Sequence, residues 1–159
     1  MATPLLPATR LYDAVFFVAL LSAGIALGAA LAHLLELPNK IAMPRDAYLA
    51  TQQAYRGWAL LGWLLLVELA SILATAFLSR RAPAVLWPLL AAAAFLVAAQ
   101  AVFWTFTWPA NVATANWTTL PDGWEALRAR WEYSHAIGAI FQLLVSASLF
   151  IAVLRARHL

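Results

Sequence analysis

The chain of 159 residues is 65% hydrophobic and only 11% charged, and its mean hydropathy is +0.81. Soluble domains are about half apolar and about a quarter charged, so this composition excludes a soluble enzyme and a disordered chain. The absence of cysteine excludes a disulfide scaffold, thiolate metal sites and thiol nucleophiles. The formal net charge of +3 comes from short arginine clusters beside apolar stretches, which indicates membrane topology and no nucleic-acid partner.

Four apolar stretches are each near the roughly 20 residues that a helix needs to cross a bilayer. They lie at roughly 12–37, 57–78, 84–107 and 133–154. We therefore predict an all-α integral membrane protein, with a single four-transmembrane-helix bundle over residues 1–159 and two Trp-rich outer loops. The first stretch is too long for the apolar core of a cleavable signal and is expected to remain as a helix.

Proline-containing segments lie at the ends of these stretches. Leu37-Pro38-Asn39 is expected to stop the first helix, and Trp108-Pro109-Ala110-Asn111 the third. Short interfacial helices are expected within residues 44–56 and 122–130, the second with Asp122 as its N-cap. The fourth helix could begin at this second segment and continue into the membrane.

Arginine placement predicts the orientation. Arg80 and Arg81 lie in the short second connection, and Arg10, Arg155 and Arg157 flank the termini, so the positive-inside rule favours this end as cytoplasmic. Lys and Arg are as numerous at the other end, but there they lie in longer loops mixed with acidic residues. We therefore predict a multi-pass protein of the inner, cytoplasmic membrane with both termini in the cytoplasm.

Small and aromatic residues suggest how the helices meet each other and the lipid. Gly24, Gly28 and Ala32 form a small-xxx-small ridge, for which packing within the chain is favoured over dimerisation. Most of the eight tryptophans gather at the outer end, where an aromatic belt is the first interpretation and substrate stacking the second. These are Trp58, Trp63, Trp104, Trp108, Trp117, Trp124 and Trp131.

Ionisable residues within apolar stretches are costly and mark candidate functional sites. His33 and Glu36 share one face of the first helix, and Glu132 and His135 repeat that spacing in reverse order on the fourth. Because the first helix is predicted to run outward and the fourth inward, all four side chains are expected at similar depth, in an outward-opening polar pocket.

A polar stripe continues down the fourth helix and faces the bundle. It consists of Glu125, Arg128, Glu132, His135, Ala139, Gln142 and Ser146. Shorter stripes are Glu68, Ser71 and Thr75 on the second helix, and Gln100, Trp104 and Thr107 on the third. Glu68, Gln100 and Gln142 should form a deeper polar layer, in which Glu68 is expected to be protonated or hydrogen-bonded to one of the two amides.

Three interpretations fit the His and Glu pairs. Carboxylates and imidazoles three residues apart on facing helices hold transition metals in four-helix bundles, so His33, Glu36, Glu132 and His135 could bind iron, copper or zinc. Alternatively, Arg128, Arg130 and Lys40 could pair with the glutamates in a buried structural network. A haem between His33 and His135 ranks third, because it leaves the glutamates unexplained.

Two segments resemble a known family. They are His33-Leu34-Leu35-Glu36-Leu37-Pro38-Asn39-Lys40 and the stretch from Asn111 through Asn116-Trp117, Pro121-Asp122-Gly123-Trp124 and Leu127-Arg128 to Arg130-Trp131-Glu132-Tyr133-Ser134-His135. In a short chain with four apolar stretches, they resemble the small bacterial membrane proteins related to the fungal anthrone oxygenases. That family has an asparagine after the third helix and an Arg/Trp/Glu cluster with His or Asn at the fourth. Asn111, Arg130, Trp131, Glu132 and His135 occupy these places.

The resemblance implies an oxygenase that acts on a hydrophobic or aromatic substrate. We therefore predict an oxygenase-like membrane redox enzyme, in which His135 could act as a general base while Arg130 and Asn111 stabilise an oxyanion. Its expected partners are membrane lipids, a hydrophobic small molecule, and a membrane protein or a second copy of the chain. The alternative is a non-enzymatic membrane subunit or lipid-binding module in which the same residues form a closed structural network.

Overall fold

The structure, a computed structural model, describes residues 10–158. Its elements in chain order are α1 (Arg10–Lys40), α2 (Arg45–Gln52), α3 (Leu61–Leu78), α4 (Pro83–Val102), α5 (Trp108–Ala113) and α6 (Trp124–Ala156). Two 3-10 turns, Gln53–Tyr55 and Trp58–Leu60, connect α2 to α3, and a π-helical turn, Phe103–Thr107, joins α4 to α5. Within the described residues the chain is therefore helical, as predicted.

Four helical spans are long and apolar enough to cross a membrane: Arg10–Lys40, Trp58–Leu78, Pro83–Ala113 and Trp124–Ala156. They pack as a bundle in which α6 contacts α1 and α4, while α3 contacts α1 and α4. The apolar core lies between these helices, and large apolar side chains such as Phe17, Leu66 and Ile140 are exposed on the outside. Such an outer surface is compatible with a bilayer, because the acyl chains of the lipids are apolar as well.

The prolines at the ends of two predicted spans do not stop their helices. α1 contains Pro38 and continues to Lys40, and the backbone N–H of Ile41 still donates to the Leu37 carbonyl at 3.0 Å. Pro109 lies in the first turn of α5, where its missing N–H costs little, so the third span passes Trp108 through the π-helical turn. Both spans nevertheless end close to the predicted segments, at Lys40 and Ala113, although the prolines themselves lie inside the helices. A proline removes one donor without breaking the neighbouring hydrogen bonds.

Two other local predictions also change. Asp122 does not cap α6: the N-cap is Gly123, at a φ of 73° that favours glycine. Gly24 and Gly28 do not pack within the chain, since both are exposed and a Cβ built on either one meets nothing within 4 Å. The buried small residues of α1 lie on another face of the helix, and they are Ala19, Ser22, Ala23 and Ala26.

The polar stripes are largely buried, as predicted. On α6 they include Glu132, Gln142 and Ser146, and on α3 Glu68, Ser71 and Thr75. Glu125 is exposed, and so is Trp104, which therefore does not belong to the interior of the bundle. The tryptophans divide into two groups. Trp63, Trp104 and Trp108 are exposed as a belt would be, whereas Trp117, Trp124 and Trp131 are buried.

Candidate functional site

One end of the bundle is closed by α2, the two 3-10 turns, the connection 114–123 and the first turns of α6. We call these segments together the cap. Its apolar cluster contains Tyr48, Ala110, Trp117, Leu120, Trp124 and Trp131. The ring centroid of Tyr48 lies 5.2 Å from that of Trp117 and 5.7 Å from that of Trp124. The cap is thus a second, aromatic core that surrounds the predicted site residues.

Asn111 organises this aromatic core. Its side-chain oxygen Oδ1 accepts hydrogen bonds from the indole Nε1 of Trp117 at 3.1 Å and of Trp131 at 2.9 Å. Ala115, Asn116 and Trp117 all have positive φ, between 47° and 61°, so the chain makes a left-handed turn that brings the Trp117 ring inward. Asn111 therefore positions tryptophans and does not present its oxygen to a substrate.

Lys40 and Glu132 form a buried ion pair under the cap. The ammonium nitrogen Nζ of Lys40 lies 2.9 Å from Glu132 Oε1, and it also donates to Tyr55 Oη at 3.0 Å and to Gln52 Oε1 at 3.4 Å. Lys40 is 1% exposed and Glu132 0%. The Tyr48 hydroxyl donates to the same Glu132 oxygen at 2.9 Å. All three donors of the ammonium are therefore used, which is what a stable buried cation requires.

Two phenols complete this network. The Tyr55 hydroxyl donates to Glu36, a half-exposed carboxylate that lies 4.0 Å from Lys40 Nζ. Burial raises the pKa of both Tyr48 and Tyr55, and the negative charges of Glu132 and Glu36 respectively raise it further. Both phenols therefore stay protonated and act as hydrogen-bond donors to the glutamates.

The two histidines of α1 and α6 lie side by side. The ring centroids of His33 and His135 are 4.3 Å apart, with a 44° angle between the ring planes. Trp131 packs against both, with its centroid 5.2 Å from His33 and 3.9 Å from His135. Tyr55 and Trp58 enclose His33 from the α2 side, at 4.7 and 5.3 Å. The histidine pair thus has aromatic walls.

The hydrogen bonding of the histidine pair is incomplete. His135 Nδ1 lies 2.9 Å from the backbone carbonyl of Trp131, and because a carbonyl can only accept, this nitrogen carries the hydrogen. A neutral His135 then has its lone pair on Nε2. His33 is 6% exposed, and its Nδ1 is buried without a hydrogen-bond partner. An unpartnered buried ring nitrogen is costly and needs an explanation, of which a functional role is one.

The four predicted metal ligands are not brought together as one set. Within residues 10–158, no three His, Cys, Asp or Glu side chains are grouped so that they could hold a metal ion. Glu132 is paired with Lys40, and Glu36 is bonded to Tyr55, which leaves only the two imidazoles adjacent. The ligand set therefore does not fit a transition metal or the di-iron pattern, and metal binding stays a prediction without structural support.

Arg128 and Arg130 do not take part in the ion-pair network under the cap. Arg130 is exposed, two residues from Glu132 and therefore on a different face of α6. Arg128 Nη1 donates to the Met43 carbonyl at 2.7 Å, and its guanidinium lies 4.6 Å from the Trp124 ring, so it ties α6 to the chain before α2. The buried cation of the network is Lys40, and neither arginine provides it.

The deeper polar layer forms between α3 and α6. Gln142 Nε2 donates to Glu68 Oε1 at 2.6 Å, so one of the two expected amide partners is confirmed. Gln100 on α4 is half-buried. Glu68 is 0% exposed, and its second oxygen, Oε2, has no hydrogen-bond partner.

The residues that sequence reasoning missed are on α2 and the turn after it. Tyr48, Gln52 and Tyr55 are spaced by four and three residues, so they share one helical face, and that face contacts Lys40 and Glu132. This spacing was the available signal. No family model, curated protein or solved structure matches the chain, so the geometry itself carries the interpretation of the site.

Proposed function

We propose that the chain is an oxygenase-like membrane redox enzyme, with the histidine pair under the cap as its catalytic centre and a hydrophobic, aromatic molecule as its substrate. One observation carries the proposal: two imidazoles lie 4.3 Å apart within aromatic walls, and one of them has a buried, unpartnered nitrogen. A buried ring nitrogen without a hydrogen-bond partner needs an explanation, and a functional role of the histidine pair provides one. The resemblance to the anthrone oxygenase relatives supports the same reaction class.

His135 is the proposed general base. Its Nδ1–H is held by the Trp131 carbonyl, so the Nε2 lone pair can accept a proton from a phenol or an activated C–H group. Removal of this proton leaves an electron-rich anion of the substrate. The electron-rich anion then reacts with O₂. For an activated methylene, one oxygen atom ends in the new carbonyl and the other leaves as water.

No step of this proposal passes through a metal or haem. The two carboxylates that a metal would need are engaged by Lys40 and Tyr55. The roles first assigned to Arg130 and Asn111 also change, because Arg130 is exposed and Asn111 already accepts from two indoles. Asn111 is instead a positioning residue that acts through Trp131.

We further propose a multi-pass location in the inner membrane, with the cap at the outer face and both termini in the cytoplasm. Arg80 and Arg81, at the opposite end of the bundle from the cap, support this orientation. Residues 1–9 and 159, on which the terminal assignment falls, lie outside the described part of the chain. Reporter fusions at Met1 and Leu159 test it: both should report cytoplasm, and a periplasmic signal from either contradicts it.

Oxygen uptake tests the catalytic proposal. The full chain, purified in mild detergent and placed in lipid nanodiscs, is offered a panel of hydrophobic phenols and of aromatic ketones with an acidic methylene, while an oxygen electrode records consumption. We expect uptake with a subset of the panel and its loss in His33→Ala and His135→Ala. His158→Ala is the matched control, because this third histidine is exposed and lies at the opposite end of α6. Elemental analysis of the same preparation tests for iron, copper and zinc.

The ion pair between Lys40 and Glu132 favours a second candidate, a non-enzymatic subunit with a structural network. It predicts no uptake with any compound, and reduced stability in both cap histidine variants. Uptake that His135→Ala leaves unchanged would contradict the base assignment. Stoichiometric metal that disappears in His33→Ala would instead restore the metal hypothesis.

A further inference from the structure

A second buried acidic site lies outside the cap, within the bundle. Glu68 is halfway along α3, 0% exposed, and bonded through Oε1 to the amide of Gln142. Its Oε2 is buried and has no partner, and neither has the buried hydroxyl of Ser146, which lies one turn beyond Gln142 on α6. The proposed catalytic centre does not use these groups. Two unsatisfied polar atoms in the apolar interior need an explanation.

Within residues 10–158, no cation forms an ion pair with Glu68. Gln142 is seven residues from His135, so about 10 Å of helix separates the carboxyl from the histidine pair. Residues 83–102 of α4 contain no titratable side chain. The charged groups and imidazoles of α1 and α6 lie towards the helix ends, and they are Arg10, Asp13, His33, Glu36, Lys40, Glu125, Arg128, Arg130, Glu132, His135 and Arg155. The phenols of these helices are those of Tyr12 and Tyr133. A bare carboxylate here would be a buried charge with a single amide donor, which apolar surroundings strongly disfavour.

A line of buried hydroxyls leads from Glu68 to the end of the bundle opposite the cap. Ser71, Thr75 and Ser79 follow it at steps of three, four and four residues, and all are buried, with 7%, 0% and 0% exposure. Ser71 and Thr75 donate to carbonyls of their own helix, so their oxygens keep lone pairs that can accept. Ser79 Oγ donates to the Tyr12 hydroxyl of α1 at 3.4 Å. The line covers about 16 Å of helix.

We propose that Glu68 is a proton-binding site and that the hydroxyls of Ser71, Thr75 and Ser79 connect it to the end of the bundle that carries Arg80 and Arg81. A proton on Oε2 removes the uncompensated charge. The hydroxyls carry that proton only when they rotate away from the backbone carbonyls to which Ser71 and Thr75 donate. Helix hydroxyls often donate to a carbonyl one turn earlier for local reasons alone, and here the row of such hydroxyls begins one turn from a carboxyl with a free oxygen. The site stands independently of the chemistry under the cap.

Carbodiimide labelling tests the proton site directly. The apolar reagent N,N′-dicyclohexylcarbodiimide reacts with a protonated carboxyl, whose O–H adds across a C=N bond before rearrangement to an N-acylurea that retains all atoms. In liposomes containing the full chain, mass spectrometry should locate the adduct at Glu68, with none in Glu68→Gln. A water-soluble carbodiimide should show the reverse preference and label exposed Glu125. Failure of the apolar reagent to label wild-type Glu68 at any pH overturns the proposal.

Side-specific pH tests the route. Because the chain has no cysteine, Arg81→Cys introduces a single thiol, and an impermeant maleimide marks the molecules whose Arg81 end faces the bath. In those molecules, carbodiimide labelling of Glu68 should fall when the bath is made alkaline. It should stay unchanged when only the liposome lumen is made alkaline. Labelling that follows the lumen, or neither side, contradicts the route.

Removal of one hydroxyl provides the matched comparison. Thr75→Val keeps the side-chain shape and should abolish the response to bath pH, while labelling in uniformly acidic buffer persists. Thr105→Val removes an exposed hydroxyl and should leave the response intact. Near-UV circular dichroism of the buried tryptophans reports whether each variant is folded. A folded Thr75→Val protein that responds like wild type eliminates the hydroxyl route.

Discussion

Replacement of Lys40 by Met or of Glu132 by Gln breaks the buried ion pair under the cap in opposite ways. Lys40→Met leaves a carboxylate with 0% exposure and only the Tyr48 hydroxyl as donor, because Glu132 Oε2 has no partner. Glu132→Gln leaves an ammonium that keeps Tyr55 and Gln52 but loses its 2.9 Å counter-ion. Lys40→Met therefore leaves a buried carboxylate without a counter-ion, and Glu132→Gln leaves the ammonium with the half-exposed Glu36, 4.0 Å away, as its remaining carboxylate.

The magnitude follows from the burial of both partners. Removal of one member of a buried pair costs about 3–5 kcal/mol, whereas replacement of both by neutral groups is often close to neutral. We therefore expect each single variant to lose about 3–5 kcal/mol of unfolding free energy. The double variant Lys40→Met/Glu132→Gln should recover most of that loss, so the two changes are strongly non-additive.

Unfolding in mixed micelles, with a denaturing detergent as titrant and tryptophan fluorescence as signal, measures these differences. Trp131 lies 4.6 Å from the ammonium and reports on the cap. Arg130→Met is the matched control: it removes an exposed cation two residues from Glu132, and its effect should stay within about 0.5 kcal/mol. Single variants within about 1 kcal/mol of wild type, or a double variant that loses the sum of the singles, would refute the reasoning.

Three further predictions concern the cap. Asn111→Ala leaves two indole N–H groups without their acceptor and should cost about 1–3 kcal/mol for each in the same titration, whereas exposed Val112→Ala should change little. Because the pKa of Tyr55 is raised in the folded chain, its stabilisation is complete below pH of about 10 and is lost as the pH rises further, so Tyr55→Phe should flatten the alkaline decline in stability. Gly57→Ala at a φ of 91° should destabilise by about 1 kcal/mol, while Gly62→Ala, with open space around it in α3, should be neutral or stabilising; equal effects in thermal unfolding would contradict this.

Much of the architecture was predictable because it depends on local spacing. Apolar length predicted the four long helices, and steps of three and four residues predicted that Glu132, Gln142 and Glu68 face the interior. The same periodicity placed His33 and His135 at similar depth on two helices, which the structure brings into contact. Composition and periodicity describe single helices, because the repeat of 3.6 residues per turn determines which side chains share a face.

Tertiary structure alone decided which of these polar groups are partners. Helical spacing cannot give the rotation of one helix against another, so Gly24 and Gly28 were assigned to the wrong face of α1. Nor could it decide which of Lys40, Arg128 and Arg130 would pair with Glu132 and so remove that carboxylate from any metal set. The physical reason is desolvation, because a buried ammonium is stable only when a carboxylate and other acceptors replace its water. The packing of α2 and of the turn after it brings Gln52 and Tyr55 within hydrogen-bonding distance of Lys40.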